Sequence, residues 1–145
     1  MSYNIEQANS GYLSLTAAGL AAGTNTGTFK TASTLTFTNN GIFKSKSATD
    51  NLTFSSGHTA LAASQACLFG IWVNASGTIS TTQGPIVAAG DPTPVPSTPA
   101  NVTLVGLIKV TTSASGAFTP GTTGLGASGV TAAYSDCMDM PGTAQ

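Results

Sequence analysis

The chain has 145 residues with a net charge of −1, and only 6% of its residues are charged against 41% apolar, so neutral hydroxyl and amide groups must solvate the surface of one folded domain. It contains no arginine and its four lysines, Lys30, Lys44, Lys46 and Lys109, are scattered, which leaves little to neutralise phosphates and argues against nucleic-acid binding. No apolar run approaches a membrane span and "MSYNIEQANS" lacks the basic and apolar regions of a signal peptide, so a chain made in the cytoplasm with no membrane partner is expected.

The first dozen residues have little pattern, and "LSLTAAGLAAG" (13–23) fits a strand or a short helix equally. "TLTFT" (34–38) places Leu35 and Phe37 on one face and threonines on the other, the period of a half-buried strand. "NNG" (39–41) supplies residues that take positive φ, and "IFKSK" (42–46) follows, so residues 34–46 are expected to form a hairpin.

"CLFGIWVNASGTISTTQG" (67–84) reads as a buried strand to Val73, a turn over Asn74–Gly77 and a return strand with Ile79 facing inward. Next, "GPIVAAGDPTPVPSTPAN" (84–101) carries Pro92, Pro94, Pro96 and Pro99, which exclude helix and central strand and favour an extended loop. "NVTLVGLIKVTT" (101–112) has apolar residues on both faces, as in a central strand or one at a subunit contact, and "SASG" (113–116) then turns the chain.

"NASGTIS" (74–80), "SASGAFT" (113–119) and "GASGV" (126–130) echo one another. The two longer echoes follow apolar strands and read as hairpin turns, glycine giving backbone freedom and Ser or Asn giving local hydrogen bonds. Gly70 and Gly106 within the preceding strands mark a bulge or a close backbone approach.

The chemistry-bearing candidates are few. "GLGASG" (124–129) matches the dinucleotide fingerprint, but no helix pattern or distal acidic residue follows it, so it reads as a turn. His58 is the only histidine; a relay with a serine and Asp50, Asp91, Asp136 or Asp139 would lack a nucleophile elbow. Asp136, Cys137 and Asp139 stand close enough to contribute to a cation site if other oxygens joined them, yet no dense acidic loop is present. Cys67 and Cys137 match no metal knuckle and read as free thiols. Asn51, Asn74 and Asn101 fall in glycosylation sequons, chance matches in a threonine-rich chain. Trp72, Phe69, Phe43, Phe54 and Phe118 fit core positions better than a sugar-stacking site.

Taken in order, "NNGIFKSKSATDN", with its Lys-Ser-Lys hairpin exit, and "GLIKVTTSASGAFTPGTTGL", with its "FTPGTT" step, resemble small virion structural proteins of tailed bacteriophages, of the capsid decoration (cement) or head-fibre kind. The likeness runs from about Thr34 to Asp136. It implies a non-enzymatic, β-rich protein on the outer surface of the phage head, a homotrimer that bridges major capsid subunits, and it carries over no catalytic residue.

Together these readings give one all-β domain over residues 1–145, an antiparallel β-sandwich or jelly-roll-like barrel built from hairpins, with no cofactor and no metal. The N-terminal arm (1–12) and the proline loop (84–101) are the expected contacts, through Tyr3, Ile5, Tyr12, Pro92, Pro94, Val95 and Pro96. Its partners would be the major capsid protein and itself. The rival readings are a fibre-type module that contacts host glycans, and a small hydrolase using His58 or Asp136 and Asp139.

Overall fold

The computed structural model describes residues 11–138, and Tyr3, Ile5 and Asp139 lie outside the described residues. Among the described residues ten strands form in chain order: β1 Leu20–Ala22, β2 Thr28–Thr31, β3 Leu35–Asn39, β4 Ile42–Lys46, β5 Thr49–Thr53, β6 Gln65–Asn74, β7 Ile79–Gln83, β8 Val87–Ala88, β9 Val102–Thr112 and β10 Val130–Asp136. All pair antiparallel, in a large sheet ordered β10-β9-β6-β7 with β8 beside β6, a small sheet β1-β2-β5, and the β3–β4 hairpin. The architecture is an antiparallel β-sandwich. The sheets stay open, so the jelly-roll-like barrel is set aside. The stretch 13–23 is strand-like rather than helical: Ser14 bridges Phe37, and Leu20–Ala22 pair with β2.

The expected hairpin at 34–46 is present in full register, Leu35 opposite Lys46 through Asn39 opposite Ile42. Its two-residue turn puts Asn40 at φ 50° and Gly41 at φ 76°, the paired left-handed conformation that matches strand twist. The second hairpin joins β6 to β7 through Asn74–Gly77, where the Asn74 carboxamide oxygen accepts from the Ser76 and Thr78 amides. The echo at 113–116 differs. Its strand β9 pairs with β10 only after the excursion 113–129, so "SASG" does not close a tight hairpin. It meets the third echo instead: Ser113 N–H donates to Gly129 O at 2.9 Å, and a Cβ on Gly116 would strike the Gly129 carbonyl. Two echoed glycines therefore press backbone to backbone and close the neck of that excursion.

β9 is central, between β10 and β6, which explains its two apolar faces: Val105, Ile108 and Val110 are buried and Leu104 and Leu107 half-buried. A bulge lies where Ile71 faces Gly106 and Trp72 faces Leu104, and a Cβ on Gly106 would meet Leu20 Cδ1 and Ser135 O at 2.5 Å. Bulge and close approach thus coincide at one glycine.

The core joins the sheets through aromatic rings. Phe54 sits 5.2 Å from Phe29 of β2, 5.0 Å from Phe69 of β6 and 6.0 Å from Phe118, centroid to centroid. These tilted and edge-to-face pairs centre on Phe54, and Phe69 beside it is fully buried with Ile71, Val73, Ile108 and Val110. Ile79 packs against the same cluster from β7. Trp72 is buried on the opposite face of β6, its indole N–H donating to Thr82 Oγ1 at 2.8 Å.

Candidate binding edge

Of the aromatics expected in the core, Phe43 is the exception: it is 72% exposed, and its neighbour Ile42 is 57% exposed. Alternation alone placed Phe43 opposite Thr38, on the face away from Leu35 and Phe37, where nothing among the described residues buries it. The sequence signal was available in that phase, since Leu35 and Phe37 had already claimed the inner face.

The tip of this hairpin is fastened to the two segments expected to make contacts. Residues 11–15 run along the free side of β3: Thr38 N–H donates to Leu13 O at 2.7 Å, Leu15 N–H to Thr36 O at 2.8 Å and Gly41 N–H to Gly11 O at 3.0 Å. The Tyr12 hydroxyl donates to Asn101 Oδ1 at 3.3 Å, and the Asn39 carboxamide donates to Asn101 O at 3.2 Å. Thr103 Oγ1 donates to Thr38 O at 2.7 Å, tying the start of β9 to β3. Gly11 and Tyr12, the Asn39–Phe43 tip and the exit of the proline loop at Asn101 therefore share one end of the sandwich.

The proline loop itself is packed at one point and exposed at others. Pro92, Pro94 and Val95 are exposed, Val95 at 65%, whereas Pro96 is buried. The loop lies against Gly84, where a Cβ would meet Pro94 O at 2.7 Å and Pro96 Cδ at 3.5 Å. Pro96 thus anchors the loop, and any outward contact falls to Pro92, Pro94 and Val95. Val95 also borders an open cleft of about 720 Å³ with Thr59, Gln83, Pro85, Ile86 and Ser97. The Gln83 carboxamide wall of that cleft is fixed, accepting from Thr59 N–H and donating to Thr59 O.

The candidate chemical groups are held in structural roles. His58 Nε2 lies 2.7 Å from Thr81 Oγ1, which already accepts from Ser55 N–H, so the Thr81 proton is available to a neutral imidazole. Burial pushes His58 below its ordinary value, and no carboxylate hydrogen-bonds it among the described residues. Asp136 accepts from the Gly19 and Leu20 amides, each at 3.0 Å, and so clips β10 to β1. Asp50 accepts from the hydroxyl and the amide of Thr24, which hold its carboxyl below the usual value. Cys67 is buried, and burial pushes its thiol up. No group of three or more His, Cys, Asp or Glu side chains gathers among the described residues. "GLGASG" lies in the loop before β10 and opens no helix. The sequon asparagines serve the backbone: Asn51 and Asn101 sit at φ 57° and 61°, and Asn74 caps its turn.

These features define an antiparallel β-sandwich with an edge hairpin whose exposed Ile42 and Phe43 lie beside Gly11 and the exit of the proline loop. No protein-family model, curated protein or solved structure matches the chain.

Proposed function

We propose that this chain is a non-enzymatic decoration (cement) protein of a tailed-bacteriophage head, which binds the outer capsid surface as a homotrimer and bridges major capsid subunits. The observation that carries the reading is the exposed Ile42–Phe43 tip, hydrogen-bonded beside Gly11 and, through Asn39, to Asn101. Two large exposed apolar side chains at the start of β4, Phe43 on one face of the hairpin and Ile42 on the other, give a partner an apolar anchor on each side of this edge. The chain as a whole is poor in charge, with 6% charged residues, as expected of a protein whose faces are covered in an assembly.

The mechanism is linkage. A protein that binds the assembled shell and not its dissociated subunits stabilises the shell by RT ln(1 + [L]/Kd), and bridging two subunits places that free energy across their seam. Co-sedimentation with undecorated heads tests the reading: wild-type protein pellets with heads, and protein lacking residues 1–12 or carrying Phe43→Asp stays in the supernatant. Equal pelleting of all three would separate the function from this end of the sandwich.

The exposed Phe43 ring also favours a second reading, a fibre-type module that stacks on host sugars. Glycan binding by the isolated protein, abolished by Phe43→Ala, would support it in place of cementing.

A further inference from the structure

The backbone of β4 has a free side. Thr36 O and Thr38 N–H point to residues 11–15, so the pairs Thr36–Ser45 and Thr38–Phe43 exchange no hydrogen bonds across the hairpin. It follows that the N–H and C=O groups of Phe43 and Ser45 point away from β3, and they meet no partner among the described residues. The side chains along this edge divide by face. Phe43 and Ser45 share one, and Ile42, Lys44 and Lys46 share the other. Two of the chain's four lysines thus stand on one five-residue edge strand, and neither has a carboxylate partner among the described residues.

We propose that the β4 edge receives an extended segment of another protein as an added antiparallel strand, one that alternates apolar side chains against Phe43 with carboxylates against Lys44 and Lys46. The inference rests on the binding reading above and deepens it by naming the chemistry of the partner. Main-chain bonds to Phe43 and Ser45 would supply affinity, while the two faces would supply selection. A second copy of β4 is a poor occupant, because antiparallel self-pairing in full register sets Lys44 against Lys44; lysine on an edge strand guards against that pairing. The free edge of β10 lacks the large exposed apolar side chain: its exposed residues include Thr131, Ala133 and Ser135, and Asp136 is committed to β1.

The test is residue-resolved amide exchange of the full chain with the peptide acetyl-EVEVEVE-amide, and with acetyl-KVKVKVK-amide as its charge-reversed counterpart. The glutamate peptide is expected to slow exchange at Phe43 and Ser45 by about tenfold or more at saturation, and the lysine peptide to leave it unchanged. Lys44→Glu with Lys46→Glu should reverse this preference. Ser45→Pro should abolish protection with the β3–β4 pairing intact, since the proline replaces an outward-pointing N–H. Unchanged melting temperatures show that the variants fold. Protection by neither peptide, or equally by both, overturns the proposal. So would edge amides that are already protected in the full chain and freed only when residues 1–10 are deleted, because the chain's own segment would then fill the edge. Head binding by wild type and the charge-reversed variant alike would leave the cement reading standing and refute the edge. Peptide capture without head binding would do the reverse.

Discussion

Replacing Phe69 with alanine and, separately, Phe43 with alanine should divide two aromatics of β-strand character into different classes. Phe69 is fully buried, with Phe54 at 5.0 Å, His58 at 5.4 Å and Phe118 at 6.1 Å around its ring. Truncating such a ring leaves a cavity at the meeting point of the two sheets and costs about 3–5 kcal/mol, a large part of the roughly 5–15 kcal/mol that holds a domain together. With a urea dependence of about 2 kcal/mol/M, the unfolding midpoint should fall by about 2 M. Phe43 is 72% exposed, so its truncation should move stability by no more than about 0.5 kcal/mol, a midpoint shift of roughly 0.3 M or less. Urea titrations followed by circular dichroism measure both. A Phe69→Ala midpoint within about 0.5 M of wild type, or a Phe43→Ala shift as large as that of Phe69→Ala, would refute the assignment of core and binding edge.

Three further outcomes follow from the hydrogen bonds and the burial of single groups. Thr82→Val removes the acceptor of the Trp72 indole and should cost about 1–3 kcal/mol by stranding a buried donor; unchanged stability, with the emission of the chain's one tryptophan unaltered, would contradict it. Asp136→Ala should speed amide exchange at Gly19 and Leu20, whose N–H groups it accepts, and exchange equal to wild type would show that β10 and β1 are joined otherwise. Burial holds His58 below its ordinary 6.5 in the folded chain, so the unfolded state takes up the proton first as pH falls. The melting temperature should therefore be level above about pH 7, decline as pH drops from 6.5 through the folded value, and lose that part of its slope in His58→Gln; an identical slope in both proteins would remove His58 as the cause.

Much of this architecture was legible in the chain because local rules and packing agreed. The alternation of Leu35 and Phe37, the Asn40–Gly41 turn and the Asn74–Gly77 turn are short-range signals, and each forms as read. The two apolar faces of β9 pointed to its central place. Long-range closure was not written locally. "SASG" resembles "NASG", yet its partner is Gly129 rather than an adjacent return strand, a fact set by where β10 docks. The convergence of Tyr12, Asn39 and Asn101 likewise depends on the β3 hairpin lying across the start of β9. Val95 and Pro96 are adjacent yet face outward and inward, Pro96 against Gly84 of the distant β7 exit, and no pattern of prolines encodes that docking. Phe43 was the opposite case, since its exposure was implied by the strand phase and was outweighed by the general tendency of aromatics toward cores.

The central claim is that this sandwich strengthens an assembled phage head, and the direct measurement is the temperature at which undecorated heads release their DNA, with and without saturating protein. Stoichiometric binding accompanied by a higher release temperature, both lost with Phe43→Asp, is the expected result. Heads that release DNA at the same temperature with the protein bound, or that do not bind it, would contradict the claim.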